Sequence, residues 1–245
     1  MSLRVVLLIL LLLRSTALGA AEVIRLASLE WPPYTGEQLP DGGSTSAVLK
    51  AAFAAAGYQL EIDYLPWERT LALANSADSG YAGYFPEYFS SEISEHFLYS
   101  VPIGSGPLGL AQRRVKPLVW QQLTDLQPFT IGVVQGYVNT EEFDASVAAG
   151  LQRVQPAGSD AQNLKKLAAG RIDAAVIDYN VMRYLLRHDQ SLTPVKQLLE
   201  FNPRLLEDKL LFVCFRLGPD AERLAKALAQ GLEQIDAAAI EASHQ

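Results

Sequence analysis

Two aromatic side chains lie on a proline-containing loop directly after the first predicted strand. Residues 23–27 form a short run typical of a β-strand, and Trp31 and Tyr34 flank the Pro32-Pro33 pair that ends regular structure. Loops on rigid scaffolds often carry binding groups, and aromatic rings suit stacking on a small ligand. A packing role is the alternative for both rings. We favour binding and predict Trp31 and Tyr34 as ligand contacts.

An acidic residue ends a second apolar strand. Residues 172–177 predict a buried strand, and Asp178 follows at its carboxyl end. Open α/β sheets bind ligands at the carboxyl ends of their strands. The alternative role for Asp178 is the N-cap of a helix that begins near Asn180. We favour the ligand cleft for this carboxylate.

A predicted helix over residues 67–74 begins with two further candidates, Trp67 and Arg69. Trp67 can bind ligand or can anchor its own helix in the core. Arg69 can supply a positive charge to a ligand, although an ordinary solvated helix charge is the commoner fate of an arginine. Both residues are retained as candidate ligand contacts.

The strand predicted over residues 81–85 contains Tyr84, and Glu87 lies just beyond its end. We expect Tyr84 and Glu87 to face the cleft and Phe85 to lie in the core.

A strand-to-helix turn follows the strand predicted over residues 129–134. Gly136 and Tyr137 lie in this turn, and Thr140 is the expected N-cap of the next helix. Free backbone amides at such a turn can hold an anion. A purely structural turn is the alternative. Gly136 and Tyr137 are predicted as ligand contacts.

Catalytic and metal-binding patterns are absent from the sequence. None of the three histidines, His96, His188 and His244, has a second metal-ligand residue at suitable spacing. No nucleophile elbow, phosphate-binding glycine loop or zinc-binding helix occurs. The single cysteine, Cys214, lies in an apolar run and is expected to be buried. We therefore expect no metal, no cofactor and no catalytic residue.

The first 21 residues predict a secretory signal peptide. Arg4 precedes a leucine-rich run over residues 5–13, which is too short for an ordinary membrane span of about 20 apolar residues. Removing residues 1–21 takes away Arg4 and Arg14 and no acid. Twenty basic residues become 18 against 27 acidic ones, and the net charge moves from −7 to −9. An acidic chain is not expected to bind nucleic acid, and we predict a periplasmic location.

Strand and helix patterns alternate along the mature chain and predict an α/β fold with a largely parallel sheet. A charged, proline-ended segment at residues 113–117 suits a boundary between two such units. The remaining predicted strands cover residues 58–64 and 210–215, and the remaining helices cover residues 47–56, 160–169 and 220–240.

Four short motifs stand in a specific order: WPPY at 31–34, FLYSVP at 97–102, IGVVQG at 131–136 and GRIDAAVID at 170–178. Their order and spacing, over essentially the whole mature chain, resemble the bacterial extracellular solute-binding proteins of family 3, the periplasmic amino-acid-binding type. The resemblance implies a monomer with the two-lobed, type II-like periplasmic-binding-protein fold, whose lobes close on a ligand cleft by hinge motion. Lobe 1 is expected to comprise residues 22–112 and 206–245, and lobe 2 residues 113–205.

Two positions depart from the family pattern. Ile93 stands where amino-acid binders carry the arginine that grips the ligand carboxylate, and Ala82 stands where an aspartate is expected. By resemblance, Asp178 matches the position that receives the ligand ammonium group, and Ser100 matches the cleft edge. An anion without a partner cation favours an amine or a neutral polar solute, unless Arg69 supplies the missing cation.

The expected function is capture of a small polar solute, such as an amino acid, an amine or a related metabolite. The partner is expected to be an ABC transporter permease or a membrane sensor. We expect no enzymatic activity. Two alternatives stay open: a cyclohexadienyl dehydratase-like enzyme of the same fold, with Glu87, Glu92 or Glu95 as the acid, and a docking module for a membrane sensor.

Overall fold

The computed structural model describes residues 21–244. The predicted signal peptide, apart from Ala21, lies outside the described residues. The strands are β1 (Glu22–Ser28), β2 (Tyr58–Tyr64), β3 (Gly83–Tyr88), β4 (Phe97–Tyr99), β5 (Gly104–Arg113), β6 (Thr130–Val134), β7 (Arg153–Ala157), β8 (Ala174–Asp178), β9 (Leu199–Phe201) and β10 (Glu207–Arg216). The helices are α1 (Ser44–Ala55), α2 (Trp67–Asn75), α3 (Ser91–Ser94), α4 (Glu141–Ala148), α5 (Asp160–Ala168), α6 (Tyr179–His188), α7 (Ala221–Leu232) and α8 (Ala237–Ala242).

The strands form one sheet in the order β2-β1-β3-β10-β5-β8-β6-β7, with β4 beside β10 and β9 beside β5. β1 pairs in parallel with β2 and β3, and β6 pairs in parallel with β7 and β8. β5 and β10 run antiparallel to each other and to their neighbours β8 and β3. We call the part built on β1–β4 lobe 1 and the part built on β6–β8 lobe 2.

Strands β5 and β10 pass between the lobes as an antiparallel pair. Residues 104–108 of β5 pair with residues 207–211 of β10. β5 then continues along β8 and β9 in lobe 2, and β10 continues along β3 and β4 in lobe 1. The expected α/β, two-lobed architecture with a largely parallel sheet in each lobe is therefore confirmed.

Two predicted elements differ from expectation for an identifiable local reason. The helix expected over residues 220–240 is split into α7 and α8, because the Asp236 side chain accepts a hydrogen bond from Ala239 N–H at 3.0 Å and caps a new helix. The strand expected over residues 81–85 runs instead from Gly83 to Tyr88. It passes Pro86 because the register with β10 shifts there, and a bulge needs no N–H from proline.

Cys214 has no exposed surface and packs with Tyr84 and Phe97 in a small core of lobe 1, as expected for a strand cysteine. Burial raises the pKa of its thiol well above the ordinary value. Within residues 21–244, no helix has the length and hydrophobicity needed to cross a bilayer. The same residues contain no group of three or more His, Cys, Asp and Glu side chains placed to hold a metal ion.

Candidate functional site

Five aromatic rings meet where the two lobes face each other. Trp31 stacks on Tyr34 with 4.7 Å between ring centroids, and Tyr88 meets Trp31 edge to face at 6.0 Å. Trp67 of lobe 1 meets Tyr137 of lobe 2 edge to face at 5.7 Å. These are the favourable geometries for aromatic pairs. We call Trp31, Tyr34, Trp67, Tyr88 and Tyr137 the aromatic cluster.

Trp67 also joins the lobes by a hydrogen bond from its indole Nε1–H to the carbonyl oxygen of Gly136, at 2.8 Å. Gly136 has a φ of +76°, a left-handed conformation that favours glycine. The turn therefore presents a carbonyl to lobe 1. The expected anion site does not form with the Tyr137 amide, because this N–H donates to the Val134 carbonyl at 3.2 Å. Tyr137 contributes its ring instead.

Asp178 is both a helix cap and a cleft residue. Its Oδ1 accepts hydrogen bonds from the N–H groups of Asn180 and Val181, at 2.7 and 3.1 Å, and so caps α6. Across the cleft, Tyr34 Oη donates to the same carboxylate at 3.1 Å and accepts from Asn180 Nδ2 at 2.9 Å. A Cβ atom at Gly106 on β5 would overlap both Asp178 and Tyr34. Glycine at 106 therefore makes room for this contact between the lobes.

Two exposed hydrogen bonds complete the contact between the lobes. Gln135 Nε2 donates to Glu68 Oε1 at 2.8 Å, and Ser91 Oγ donates to Glu141 Oε1 at 2.6 Å. Together with the bonds of Trp67 and Tyr34, they hold the lobes in a closed arrangement.

Two partly open cavities lie in the cleft. The inner cavity, of about 30 Å³, is lined by members of the aromatic cluster together with Glu87 and Leu211 of the connecting strand. The outer cavity, of about 340 Å³, is lined by Trp31, Tyr64, Trp67 and Tyr137 and by the acids Glu30 and Asp160. The inner cavity is about the size of one or two water molecules, so a solute enters the cleft only with movement of side chains or lobes.

Glu87 is the acidic residue of the inner cavity and is 4% exposed. Its two carboxylate oxygens accept hydrogen bonds from Tyr88 N–H at 2.9 Å and from Tyr84 Oη at 3.1 Å. Burial raises the pKa of Glu87 to about 8, against the lowering effects of these hydrogen bonds and of Lys209. Glu87 can therefore hold or release a proton near neutral pH.

Asp160 and Asp178 form a second acidic site on lobe 2, at the starts of α5 and α6. Burial, followed by the charge of Asp178, raises the pKa of Asp160 to about 7, and a contact from the Trp31 side chain lowers it. Burial likewise raises the pKa of Asp178 to about 6, while the hydrogen bonds from Val181, Asn180 and Tyr34 oppose the rise. Three buried carboxyls thus surround the aromatic cluster.

Six of the nine predicted site residues do not line either cavity: Tyr34, Arg69, Tyr84, Ser100, Gly136 and Asp178. Tyr34, Gly136 and Asp178 take part in the contacts between the lobes described above, whereas the other three lie elsewhere. Arg69 is exposed on α2. Its charge acts to lower the pKa of Tyr81, a residue that lines neither cavity of the cleft. Tyr84 is 1% exposed and packs between Trp67 and Phe97, and its hydroxyl supports Glu87. Ser100 is buried beside β10, where its hydroxyl accepts from Val213 N–H at 3.0 Å. The side chains of Arg69, Tyr84 and Ser100 thus lie at the surface or in the core and outside both cavities.

Asp160 and Tyr88 are cleft residues that the sequence analysis did not identify. Asp160 follows β7, a half-exposed strand with the polar sequence Arg-Val-Gln-Pro-Ala, which gives no apolar signal. The usable signal is Ser159, whose side chain accepts from Gln162 N–H at 3.3 Å and caps α5. A capped helix start after a short extended segment places its first residue at the carboxyl edge of the sheet.

No family model matches the sequence, and no curated protein shows detectable similarity to it. Solved structures do match over nearly the whole chain. A histidine kinase sensor domain with similarity to periplasmic binding proteins superposes with a TM-score of 0.77 at 19% identity, covering 91% of this chain and 96% of that one.

Two binding proteins are similar in the same way. An amino acid ABC transporter substrate-binding protein from Streptococcus pneumoniae, bound to L-arginine, gives a TM-score of 0.71 at 16% identity and covers 91% and 94% of the two chains. An ancestral amino acid-binding protein, a precursor of cyclohexadienyl dehydratase, gives 0.66 at 15% identity, with coverage of 91% and 92%. At these identities the likeness establishes the periplasmic-binding-protein fold.

Proposed function

We propose that this chain is a periplasmic solute-binding protein that captures a small polar solute between its lobes. The observation that carries the proposal is the aromatic cluster, to which lobe 1 contributes Trp31 and Trp67 and lobe 2 contributes Tyr137. A ligand seated among these rings touches both lobes at once, and binding then favours closure. The signal peptide predicted from the first 21 residues supports export of the chain.

The proposal keeps the predicted lobe boundaries, with lobe 1 as residues 22–112 and 206–245 and lobe 2 as residues 113–205. The hinge is then the paired segment of β5 and β10, where few backbone torsions need to change for the lobes to separate. Proposed ligand contacts are Trp31, Tyr34, Trp67, Tyr137 and Asp178, to which the cleft adds Tyr88, Glu87 and Asp160.

The test is a melting experiment on the mature protein after unfolding and refolding to remove any bound solute. A panel of amino acids, amines, organic acids and sugars is added singly. A ligand at 100 times its dissociation constant stabilises the folded state by about 2.7 kcal/mol, which raises the melting temperature of a chain this size by roughly 5 to 11 °C. Absence of a shift with every solute class contradicts the proposed function.

A membrane partner is part of the proposal, as an ABC permease or as a sensor. Both kinds of protein occur among the similar structures, which include a transporter substrate-binding protein and a kinase sensor domain. Deletion of the gene that encodes this chain distinguishes the importer role from the sensor role. Lost solute uptake favours the importer, whereas retained uptake with a lost cellular response favours the receptor or docking role.

A dehydratase-like enzyme is the second candidate, and Glu87 is the observation that favours it. A buried carboxyl with a pKa of about 8 is a suitable general acid at neutral pH. Incubation with prephenate and arogenate, followed by detection of the dehydrated aromatic product, tests this activity. Loss of product in a Glu87→Gln variant would assign it to the cleft, and absence of turnover in the native protein removes this reaction.

A further inference from the structure

The side chains around the two cavities of the cleft are aromatic, carboxylic or aliphatic, apart from the hydroxyl of Ser159. The inner cavity has the carboxyl of Glu87, and the outer cavity has those of Glu30 and Asp160. Among the described residues that line either cavity, none is lysine, arginine or histidine. A bound anion would therefore find no basic group in the described lining of either cavity. It would meet carboxyl groups, which repel it once they are ionised, and the negative faces of aromatic rings.

Lys209 is the buried cation nearest to this region, and its charge is already engaged. Its side chain is 5% exposed, and its Nζ lies 3.4 Å from Glu207 Oε1 and 5.4 Å from the centre of the Tyr88 ring. Lys209 lines a different cavity, whose lining includes neither Glu87 nor Tyr88. It therefore does not supply the cleft with a free cation for a ligand carboxylate.

Tyr88 provides an independent sign that the inner cavity receives a polar group. Its side chain is 6% exposed, and its hydroxyl is buried without a hydrogen-bond partner among the described residues. A buried hydroxyl that lacks a partner is costly. Tyr88 lines the inner cavity beside Glu87. A ligand hydroxyl or ammonium group at this point would satisfy the Tyr88 oxygen.

We propose that the interlobe cleft selects a small organic cation without a carboxylate, namely an alkylated ammonium compound held among aromatic rings and carboxyl groups. This inference rests on the proposed function, because it assigns a ligand class to the same cleft. Trp31, Trp67, Tyr64 and Tyr137 line the outer cavity with aromatic rings, the groups whose faces attract a desolvated ammonium group. Asp160 and Glu87 lose their protons beside a bound cation, because a nearby positive charge favours the ionised carboxylate, and so supply the neutralising charge.

The size of the cleft agrees with this ligand class. The outer cavity of about 340 Å³ lies near the lower end of the roughly 300 to 1,000 Å³ found for small-molecule sites. An ammonium group with a few attached carbons fits this volume. Because the described lining has no basic residue, the cleft favours this ligand class over an α-amino acid, whose carboxylate needs a cationic partner.

Calorimetric titration of the refolded mature protein with three matched probes tests the inference. The probes are choline, its neutral carbon analogue dimethylbutanol, and glycine betaine, which carries a carboxylate on the same trimethylammonium group. We expect choline to bind at least about tenfold more tightly than either analogue, since loss of a charged partner in a buried site costs about one factor of ten or more.

Each other outcome overturns the inference. Equal affinity for dimethylbutanol means that the cleft does not recognise charge. Tighter binding of betaine, or of an amino acid or organic acid from the melting panel, means that a carboxylate is accepted. In these cases the proposed function survives. If choline does not bind and no solute of the panel raises the melting temperature, the proposed function fails together with the inference.

Glu87→Gln and Asp160→Asn remove one cleft charge each with little change of shape. We expect each to weaken choline binding about tenfold while leaving the weaker binding of dimethylbutanol unchanged. The control is Glu92→Gln, which removes an exposed charge on α3. An equal loss of choline affinity in the control, or an unchanged affinity in both cleft variants, contradicts the assignment of charge recognition to the cleft.

Discussion

The cleft and the cavity that Lys209 lines differ in how their charges are arranged. We call the second one the hinge groove. Its volume is about 550 Å³, and Glu141, Glu207, Arg204 and Lys209 line it. In the hinge groove acids and bases are mixed, whereas the described lining of the cleft contains acids without bases.

The pKa values of carboxyl groups also shift in opposite directions in the two regions. In the hinge groove, hydrogen bonds from Ser91 lower the pKa of Glu141, which stays ionised. In the cleft, burial raises the pKa of Glu87 to about 8 and that of Asp160 to about 7. In a surface that mixes acids with bases, the carboxylates have cations beside them. Buried carboxyls whose cavity lining has no cation favour protons or a positively charged solute.

The largest expected effect is that of Trp31→Ala. Trp31 is 6% exposed and stacks on Tyr34, so its truncation should cost about 3 to 5 kcal/mol of folding free energy and abolish solute binding. The matched control is Trp120→Ala, which removes an 8% exposed tryptophan that lines the hinge groove. Urea denaturation and calorimetric titration should give a similar stability loss in both variants, with binding retained only in the control. Lost binding in both would remove the distinction between the two regions.

The next largest effect is a fall in stability with rising pH. Glu87 and Asp160 have raised pKa values, so the folded state holds more protons than the unfolded state between about pH 4 and pH 8. Their stabilising contribution is fully present below pH 4 and is lost as the pH rises through the folded pKa values, by up to about 1.4 kcal/mol per pH unit for each group.

Denaturation at pH 5, 6, 7 and 8 measures this slope. Glu87→Gln and Asp160→Asn should each flatten it, while Glu92→Gln should leave it unchanged. A native protein that is more stable at pH 8 than at pH 5 would contradict the raised pKa values of the cleft.

A smaller effect is expected for Trp67→Phe. The change removes the donor to the Gly136 carbonyl but keeps an aromatic ring, and a hydrogen bond of this kind contributes about 1 kcal/mol. We expect a larger radius of gyration by small-angle X-ray scattering, because the closed arrangement loses one interlobe bond. Trp120→Phe is the control, since the Trp120 Nε1 has no hydrogen-bond partner among the described residues. Equal scattering from both variants would show that the Trp67 bond does not hold the lobes together.

The smallest effect is expected for Ser91→Ala, which breaks the exposed bond to Glu141 at the rim of the lobes. Exposed polar contacts of this kind contribute little. We expect no resolvable change in unfolding free energy or in solute affinity relative to Ser94→Ala. If Ser91→Ala lowers the unfolding free energy or the solute affinity as much as Trp67→Phe does, the main contact between the lobes is at the rim and not in the aromatic cluster.

The fold was predictable from sequence because the central strands are apolar runs that alternate with capped or glycine-ended helices. β8 and β6 are examples, and both lie within two residues of their predicted bounds. β7 was not predicted, because it is polar and half-exposed. α7 and α8 were predicted as one helix, because the break depends on a single side-chain cap at Asp236.

The site was only partly predictable. Trp31, Trp67 and Tyr137 could be placed at the cleft because they follow strand ends. The side of β3 on which Tyr84 lies could not be predicted correctly. All residues of this strand are buried, so buried and exposed residues do not alternate along it. For Arg69 the helical period was informative, since the neighbouring Thr70 and Ala74 mark the buried stripe of α2 and leave Arg69 outside it.

The central claim, that an organic cation binds in the aromatic cleft, is tested most directly by tryptophan fluorescence in a Trp120→Phe variant. The chain has three tryptophans, so the remaining two, Trp31 and Trp67, both report on the cleft. We predict a saturable change of emission with choline, at the affinity given by calorimetry, and a much weaker response to dimethylbutanol. Calorimetric binding without any change of emission would place the bound solute outside the cleft and contradict the account.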